Sequence, residues 1–145
     1  SKVQSFYPHV QFGVKCSNNI NANFLLSLDR NLILRLLNNL CRNAGRFAVK
    51  HCEVSIELSN DKTEQEQPII VIHVEDDGIG IPPGKVDRIF EPFTRLDASR
   101  SRDSGGCGLG LAIVSSIAKR HSAEIKVSQS ATLGGAKFSI KLPVV

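Results

Sequence analysis

No apolar run in this chain of 145 residues approaches the roughly 18–20 needed to span a bilayer, so direct membrane insertion is not expected. The first residues lack a signal-peptide pattern, since Lys2 is followed by a mixed polar segment. Cys16, Cys41, Cys52 and Cys107 form neither a C-x-x-C pair nor a zinc spacing with histidine, and are read as reduced thiols in a reducing compartment. Aromatic residues make up only 6% and do not alternate with basic ones, which argues against a stacking platform for nucleic acid. The net charge of +4 is modest and suits a ligand that carries phosphates. A chain of this length is one domain, residues 1–145, able to bury about 68–70% of the surface its unfolded form exposes. The start at Ser1 reads as a cut from a longer protein.

What is present centres on Val74-Glu75-Asp76-Asp77-Gly78-Ile79-Gly80-Ile81-Pro82. The apolar run Ile69-Ile70-Val71-Ile72 leads into it as a buried strand. The strand ends in two carboxylates and two glycines. Glycine there allows a turn with positive φ, or lets a ligand approach without meeting a Cβ. A carboxylate at the end of a buried strand can accept hydrogen bonds from a ligand's N–H groups. Taken alone, the stretch is equally a strand-ending turn in which Asp and Gly are only turn residues.

Asp29 is a suitable N-cap, and a helix is expected from it to about Val49. Ile33, Leu37, Leu40, Cys41, Ala44 and Ala48 share one face, expected to pack on a sheet. Asn39, Asn43 and Arg46 share another, with Phe47 at the border. A row of amides is ordinarily a solvated face. However, Asn costs a few tenths of a kcal/mol in a helix, and Gly45 up to about 1 kcal/mol, so this helix is expected to serve a site on that turn. An amide oxygen also suits Mg²⁺ that keeps its waters and bridges to phosphates.

Before the helix, residues 9–16 alternate as a half-buried strand, and Phe24-Leu25-Leu26 suggests a short one. After it, residues 54–58 read as a strand and residues 60–67 as a long polar hairpin loop. Residues 68–75 form the returning antiparallel strand. Residues 85–90 make a short helical turn at most, and Phe90 and Phe93 flank Glu91-Pro92 as possible core plugs. Residues 94–106 have the composition of a lid, polar and basic, with Arg95, Arg100 and Arg102 before a glycine hinge.

Gly105-Gly106-Cys107-Gly108-Leu109-Gly110-Leu111 then opens a helix running to about His121. A glycine-rich loop entering a helix N-terminus presents free N–H groups and the positive end of the dipole to an anion. Two common phosphate motifs are excluded. Val86 stands where a P-loop needs Ser or Thr, and Leu111 stands where a dinucleotide fingerprint needs Gly or Ala. Residues 124–130 and 136–142 close the chain as a hairpin around Gly134-Gly135. The order implies an α/β (α+β) two-layer sandwich, a mixed and largely antiparallel sheet with helices on one face.

At this point four boxes resemble those of the bacterial sensor histidine kinases, in the family's order and spacing. Asn39-Leu40-x-x-Asn43-Ala44-x-Arg46-Phe47 resembles the N box and Asp76-Asp77-Gly78-Ile79-Gly80 the G1 box. Phe90-Glu91-Pro92-Phe93 resembles the F box and Gly106-Cys107-Gly108-Leu109-Gly110-Leu111 the G2 box. The resemblance implies the Bergerat ATP-binding fold, with ATP and Mg²⁺ as cofactors. It implies that Asp76 accepts a hydrogen bond from the adenine amino group and that Gly78 and Gly80 shape the base pocket. Asn43 would ligate Mg²⁺, and Asn39 and Arg46 would meet the phosphates, these three carrying the catalytic work. Phe47 would lie against base or sugar, without the hydroxyl of the family's usual Tyr. Gly106, Gly108 and Gly110 would offer backbone N–H groups, with Leu109 at the hinge and residues 94–105 as the ATP lid. Ile81, Phe90, Phe93 and Leu111 are expected to complete the nucleotide site.

Among the ATPase relatives, a Glu one turn before the Mg²⁺ Asn acts as general base on water. Asn39 stands there, and a neutral amide cannot take the proton, so transfer is favoured over hydrolysis. The resemblance implies a phosphoacceptor His on a separate dimerisation domain of the same protein, and a response regulator receiver domain beyond it. None of His9, His51, His73 and His121 has the acceptor's context, and each is expected to be structural or on the surface. The chain is thus expected to be a monomeric cytoplasmic piece of an inner-membrane sensor. An anti-sigma-type serine kinase and a nucleotide-binding module without catalysis are the alternatives.

Overall fold

The computed structural model describes residues 7–16, 30–62, 68–82, 84, 89–90 and 110–143. Within them the chain forms strand β1 (Gln11–Cys16), helix α1 (Arg30–Phe47), strands β2 (His51–Lys62) and β3 (Pro68–Asp76), helix α2 (Gly110–Arg120), and strands β4 (Glu124–Gln129) and β5 (Ala136–Pro143). The five strands make one sheet in the order β1-β2-β3-β5-β4. β1 runs parallel to β2 and every other pairing is antiparallel, as the expected mixed sheet requires. The expected strand at residues 24–26 and the Asp29 cap lie outside the described residues.

Strand alternation sorts the sheet into two faces. Ile70, Ile72 and Val74 of β3 join Phe138, Ile140 and Leu142 of β5 and Cys52 of β2 in the core, with α1 and α2. β-branched residues favour this pleated, half-covered surface. Leu36, Leu40 and Ala44 of α1 and Val114, Ile117 and Ala118 of α2 are buried, at the spacing of one helical stripe. The opposite face is polar. There Lys15 pairs with Glu53 at 3.4 Å, and His73 lies between Ser139 Oγ at 2.8 Å and Glu57 Oε1 at 3.1 Å.

The main differences from expectation lie in β2 and α1. β2 continues through Lys62 with a register shift after Leu58, so strand replaces the start of the expected loop. α1 stops at Phe47, two residues early, because the following N–H groups turn to a side-chain acceptor described below. The buried stripe of α1 keeps the expected Leu40, Ala44 and Ala48 but extends to Leu36, fully buried, while Leu37 is only partly so. Asn43 falls seven residues after Leu36 and is 9% exposed, so it lies at the edge of the buried stripe, one turn after Asn39 and on the same side of the helix.

Gly45 has a different use from the one expected. A Cβ there would stand 2.6 Å from the Tyr7 ring, so the glycine makes room for an aromatic side chain packed on the helix. α2 ends in a Schellman motif. Ala123 N–H donates to Ala118 O at 2.8 Å and Ser122 N–H to Lys119 O at 3.3 Å, with Ser122 at φ 53°.

Candidate functional site

Asp76 is the last residue of β3 and continues the core-facing row of Ile70, Ile72 and Val74, which carries a carboxylate to the rim of the core with 2% exposure. Its Oδ1 accepts from Gly78 N–H at 2.9 Å and Ala136 N–H at 3.3 Å. Its backbone carbonyl accepts from Gly135 N–H at 3.0 Å. Oδ1 is thereby committed to the protein, and no hydrogen bond within the described residues takes Oδ2. Burial pushes the Asp76 carboxyl above the ordinary carboxylate value. The two N–H bonds work against that shift, and the charge of Asp77 works with it.

The β4–β5 turn that brings Gly135 and Ala136 to Asp76 is anchored from below. Ser130, 1% exposed, donates its hydroxyl to Glu75 at 2.9 Å and accepts Leu133 N–H at 2.9 Å. Gly134 takes the positive φ of the turn, 92°. Gly135 is needed for closeness instead, since a Cβ would collide with the Asp76 carboxylate and with Gly78 N. The sequence reading saw this glycine pair only as a turn. The available signal was that one glycine suffices for the turn and two are present.

The G1 glycines also divide their work. Gly80 adopts φ 77°. Gly78 lies so close to the carbonyl of Phe47 that a Cβ would collide with it, which ties the strand end to the end of α1. At that helix end the Arg46 guanidinium carbon stands 5.0 Å from the Phe47 ring centroid, a cation–π contact. Asp77 turns away from Asp76. Its Oδ1 accepts from Val49 N–H at 2.8 Å, both oxygens accept from Lys50 N–H at 3.1 Å, and Oδ2 accepts from His51 N–H at 3.1 Å. Burial works against its ionisation, but these bonds prevail and hold its carboxyl below the ordinary value.

Asn43, Arg46 and Phe47 therefore share the last turns of α1, the end that Gly78 and Asp77 tie to the strand carrying Asp76. Asn39 is placed differently. Its Nδ2 donates to Arg35 O at 2.9 Å, and it lines an open cavity of about 440 Å³ with Asn31, Leu34, Arg35, Asn38 and Arg42 of α1 and Ile113 of α2. Among the described residues, Asn39 is the one expected site residue in that cavity's lining, and Asp76 is not part of it. Ile81 is half-buried against the core, as is Leu111 near the start of α2, where Gly110 is the first helical residue. Phe90 packs edge-to-face on Phe138, ring centroids 6.3 Å apart, so it is anchored in the core beneath the site. Phe93, Gly106, Gly108, Leu109 and the expected lid at 94–105 lie outside the described residues.

Among the described residues no cluster of three or more His, Cys, Asp and Glu side chains forms a metal cage. A single amide oxygen, Asn43 Oδ1, fits Mg²⁺ that is held chiefly by phosphates and water. Cys16, Cys41 and Cys52 are free thiols. Burial pushes Cys41 up to about 11, and burial, then the charge of Asp76, pushes Cys52 up to about 12, so neither is a nucleophile at neutral pH. His121 Nδ1 donates to Ile117 O at 2.9 Å, and His9 and His51 are exposed. No helix among the described residues is long and apolar enough to cross a membrane.

Residues 28–145 match the family model described as histidine kinase-, DNA gyrase B- and HSP90-like ATPase. The sensor protein RstB of Escherichia coli K12 is 46% identical over 118 residues, covering 81% of this chain and 25% of RstB. The chain thus spans about a quarter of the length of that curated relative. The mycobacterial sensor histidine kinase MprB superposes with a TM-score of 0.72 at 23% identity, over 99% of this chain and 87% of that one, a likeness of fold. Full-length ShkA in complex with AMPPNP superposes with a TM-score of 0.72 at 25% identity, over 99% of this chain and 28% of that one.

Proposed function

The chain belongs to the histidine kinase-, DNA gyrase B- and HSP90-like ATPase family, and on that premise we propose that it binds Mg-ATP as the catalytic domain of a sensor histidine kinase. It would donate the γ-phosphoryl group to a His on a separate dimerisation domain, for relay to an Asp of a response regulator receiver domain. The parent protein would be a membrane sensor with this domain on the cytoplasmic side. The unit is residues 1–145, a monomer in isolation.

The observation that carries this reading is Asp76, a carboxylate at the rim of the core with one oxygen held by two backbone N–H groups. That arrangement suits an acceptor for the adenine amino group, with Gly78, Gly80 and Ile81 around the base. Arg46 and Phe47, already stacked on each other, would meet the phosphates and the base or sugar. Asn43 would hold Mg²⁺, which when bound supplies neutralising charge on the phosphates. Asn39 would reach the phosphates from its own turn of α1. Phe90 and Phe93 would floor the loop that leads to the lid at 94–105. Gly106, Gly108, Leu109, Gly110 and Leu111 would close over the phosphates with N–H groups at the start of α2. The AMPPNP complex of ShkA supports nucleotide as the ligand.

Transfer is favoured over hydrolysis because Asn39 supplies no base. The chain's own part is then to position the phosphates and neutralise their charge. A titration with Mg-ATP of the wild-type chain beside Asp76→Asn and Asn43→Ala tests the pocket. Saturable binding that weakens in both variants is expected, followed by transfer to a His-containing helical hairpin supplied in trans. No binding at millimolar nucleotide would remove this function from the isolated chain.

A further inference from the structure

Beyond Ala48 the chain between α1 and β2 has no buried side chain until Cys52. Val49 is 61% exposed, and Lys50 and His51 are exposed as well. Hydrophobic burial therefore does not hold this turn in place. What holds it is polar. Three consecutive amide hydrogens, those of Val49, Lys50 and His51, converge on the single carboxylate of Asp77. Successive backbone N–H groups of this kind make an anion-binding nest. Asp77 N–H also donates to His51 O at 3.2 Å, so the two residues are joined in both directions. Lys50 O accepts Gln11 N–H from β1 at 2.7 Å, which fixes the same peptide from the other side. A carboxylate is ordinarily disfavoured at a helix C-terminus, where the dipole is negative. Here the N–H groups of the following turn reverse that preference.

We infer that Asp77 is the positioning residue of the nucleotide pocket, holding the end of α1 that carries Arg46 and Phe47 in register with Asp76 and Gly78. The lever is short. Gly78 follows Asp77 directly and touches the Phe47 carbonyl closely enough to exclude a Cβ. Val49, held by Asp77 Oδ1, lies two residues past Phe47. A displacement of the carboxylate therefore shifts the phosphate-side residues against the base-side acceptor. This inference rests on the nucleotide-binding reading above but has a readout of its own.

Asp77→Asn keeps the size of the side chain, leaves one acceptor oxygen, and turns an NH₂ donor toward the N–H groups. In the folded variant, the Val49, Lys50 and His51 amides are expected to exchange at least about tenfold faster, and the Arg46 and Phe47 backbone resonances to move. Mg-ATP affinity is expected to fall about tenfold, as it would if about a tenth of the variant chain held the binding-competent register. In a double-mutant cycle, Asp77→Asn and Arg46→Ala should be less than additive in Mg-ATP affinity, because the first acts through the second. Should Asp77→Asn not fold, Asp77→Gly refolded in formate offers the nest a free carboxylate, and formate-dependent recovery of Mg-ATP binding is expected. Unmoved Arg46 and Phe47 resonances with affinity within twofold of wild type, additivity in the cycle, or no response to formate would overturn the inference. If wild-type chain fails to bind Mg-ATP while the Arg46 and Phe47 resonances still move in Asp77→Asn, the positioning stands and the nucleotide reading fails.

Discussion

The two sides of the turn that ends β3 carry adjacent carboxylates with opposite fates. On the core side, Asp76 is 2% exposed, accepts two backbone N–H groups on one oxygen, and has its carboxyl pushed up by burial. On the outer side, Asp77 accepts three N–H groups on both oxygens, and they outweigh burial to hold its carboxyl down. A group that the fold binds fully is there for the fold. A group that the fold buries but satisfies on one side only is a candidate for another role, since perturbed carboxylates of this kind cluster at functional sites. The pair shows how one strand end provides both a structural clasp and the carboxylate proposed to accept the nucleotide, without a change of residue type.

The comparison breaks most severely at Gly135. A Cβ there has no flexible side chain to displace, since its neighbours are the Asp76 carboxylate, the Asp76 carbonyl and Gly78 N. Gly135→Ala is expected to cost about 3 kcal/mol, the upper range for overpacking, read from the urea midpoint. It should remove Mg-ATP binding at the same time, because the strain falls on the acceptor itself. Asp76→Asn is next in size. The amide can satisfy Gly78 and Ala136 with its oxygen, but then directs a donor outward. Loss of a hydrogen bond to a charged acceptor, about 1.5–3 kcal/mol, corresponds to roughly a 10- to 150-fold weaker Mg-ATP complex by calorimetric titration. Stability should not fall, since the folded state disfavours the Asp76 charge. A variant that loses binding and melts no lower than wild type is the mark of a functional group rather than a structural one.

The acid side of the stability curve sharpens the contrast, because the two carboxylates contribute with opposite sign. Asp77 has a lowered value when folded, so its stabilisation is present above the unfolded value of about 4 and is lost as pH falls through the folded value. Asp76 has a raised value when folded, so its charge destabilises above that value, and protonation relieves the cost as pH falls. Urea unfolding between pH 3 and 7 should therefore lose stability more steeply toward acid in Asp76→Asn than in wild type. In Asp77→Asn the same slope should be shallower. Equal slopes in the two variants would mean that both carboxylates sit in equivalent environments.

Much of this architecture was legible in the residues, for reasons that mark where legibility stops. β3 follows from its β-branched run and α2 from apolar spacing, both local signals. On α1 the burial of Leu40, Ala44 and Ala48 was legible, but that of Leu36 was not, because Leu36 and Leu37 are both apolar and either can lie on the stripe. The role of Asp77 was not legible, since its partners lie 26 to 28 residues away and are backbone groups, which any residue type supplies. Ala136, 60 residues from Asp76, is the same case on the core side. Gly45 was legible as a cost but not as a purpose, because the Tyr7 ring it accommodates comes from a distant segment. The boxes pointed to Asp76, Gly78 and Phe47, which the fold brings to one strand end, and the backbone partners that hold them had to come from the fold.

A last variant separates stability from positioning in the contrast between the two carboxylates. Ser122 holds φ 53° at the end of α2, a left-handed conformation that disfavours a residue with a Cβ, and it lies outside the β3 turn. Ser122→Gly is expected to stabilise by about 0.5–1 kcal/mol, part of the steric relief being offset by the greater freedom of glycine in the unfolded chain. Mg-ATP affinity should stay within twofold of wild type. With that result, added stability by itself does not tune the pocket, and a loss of affinity in a folded Asp77 variant has to come from the register of α1 against β3. If Ser122→Gly instead tightens Mg-ATP in step with its melting temperature, pocket and global stability are coupled. Asp76 and Asp77 would then differ in degree rather than in kind.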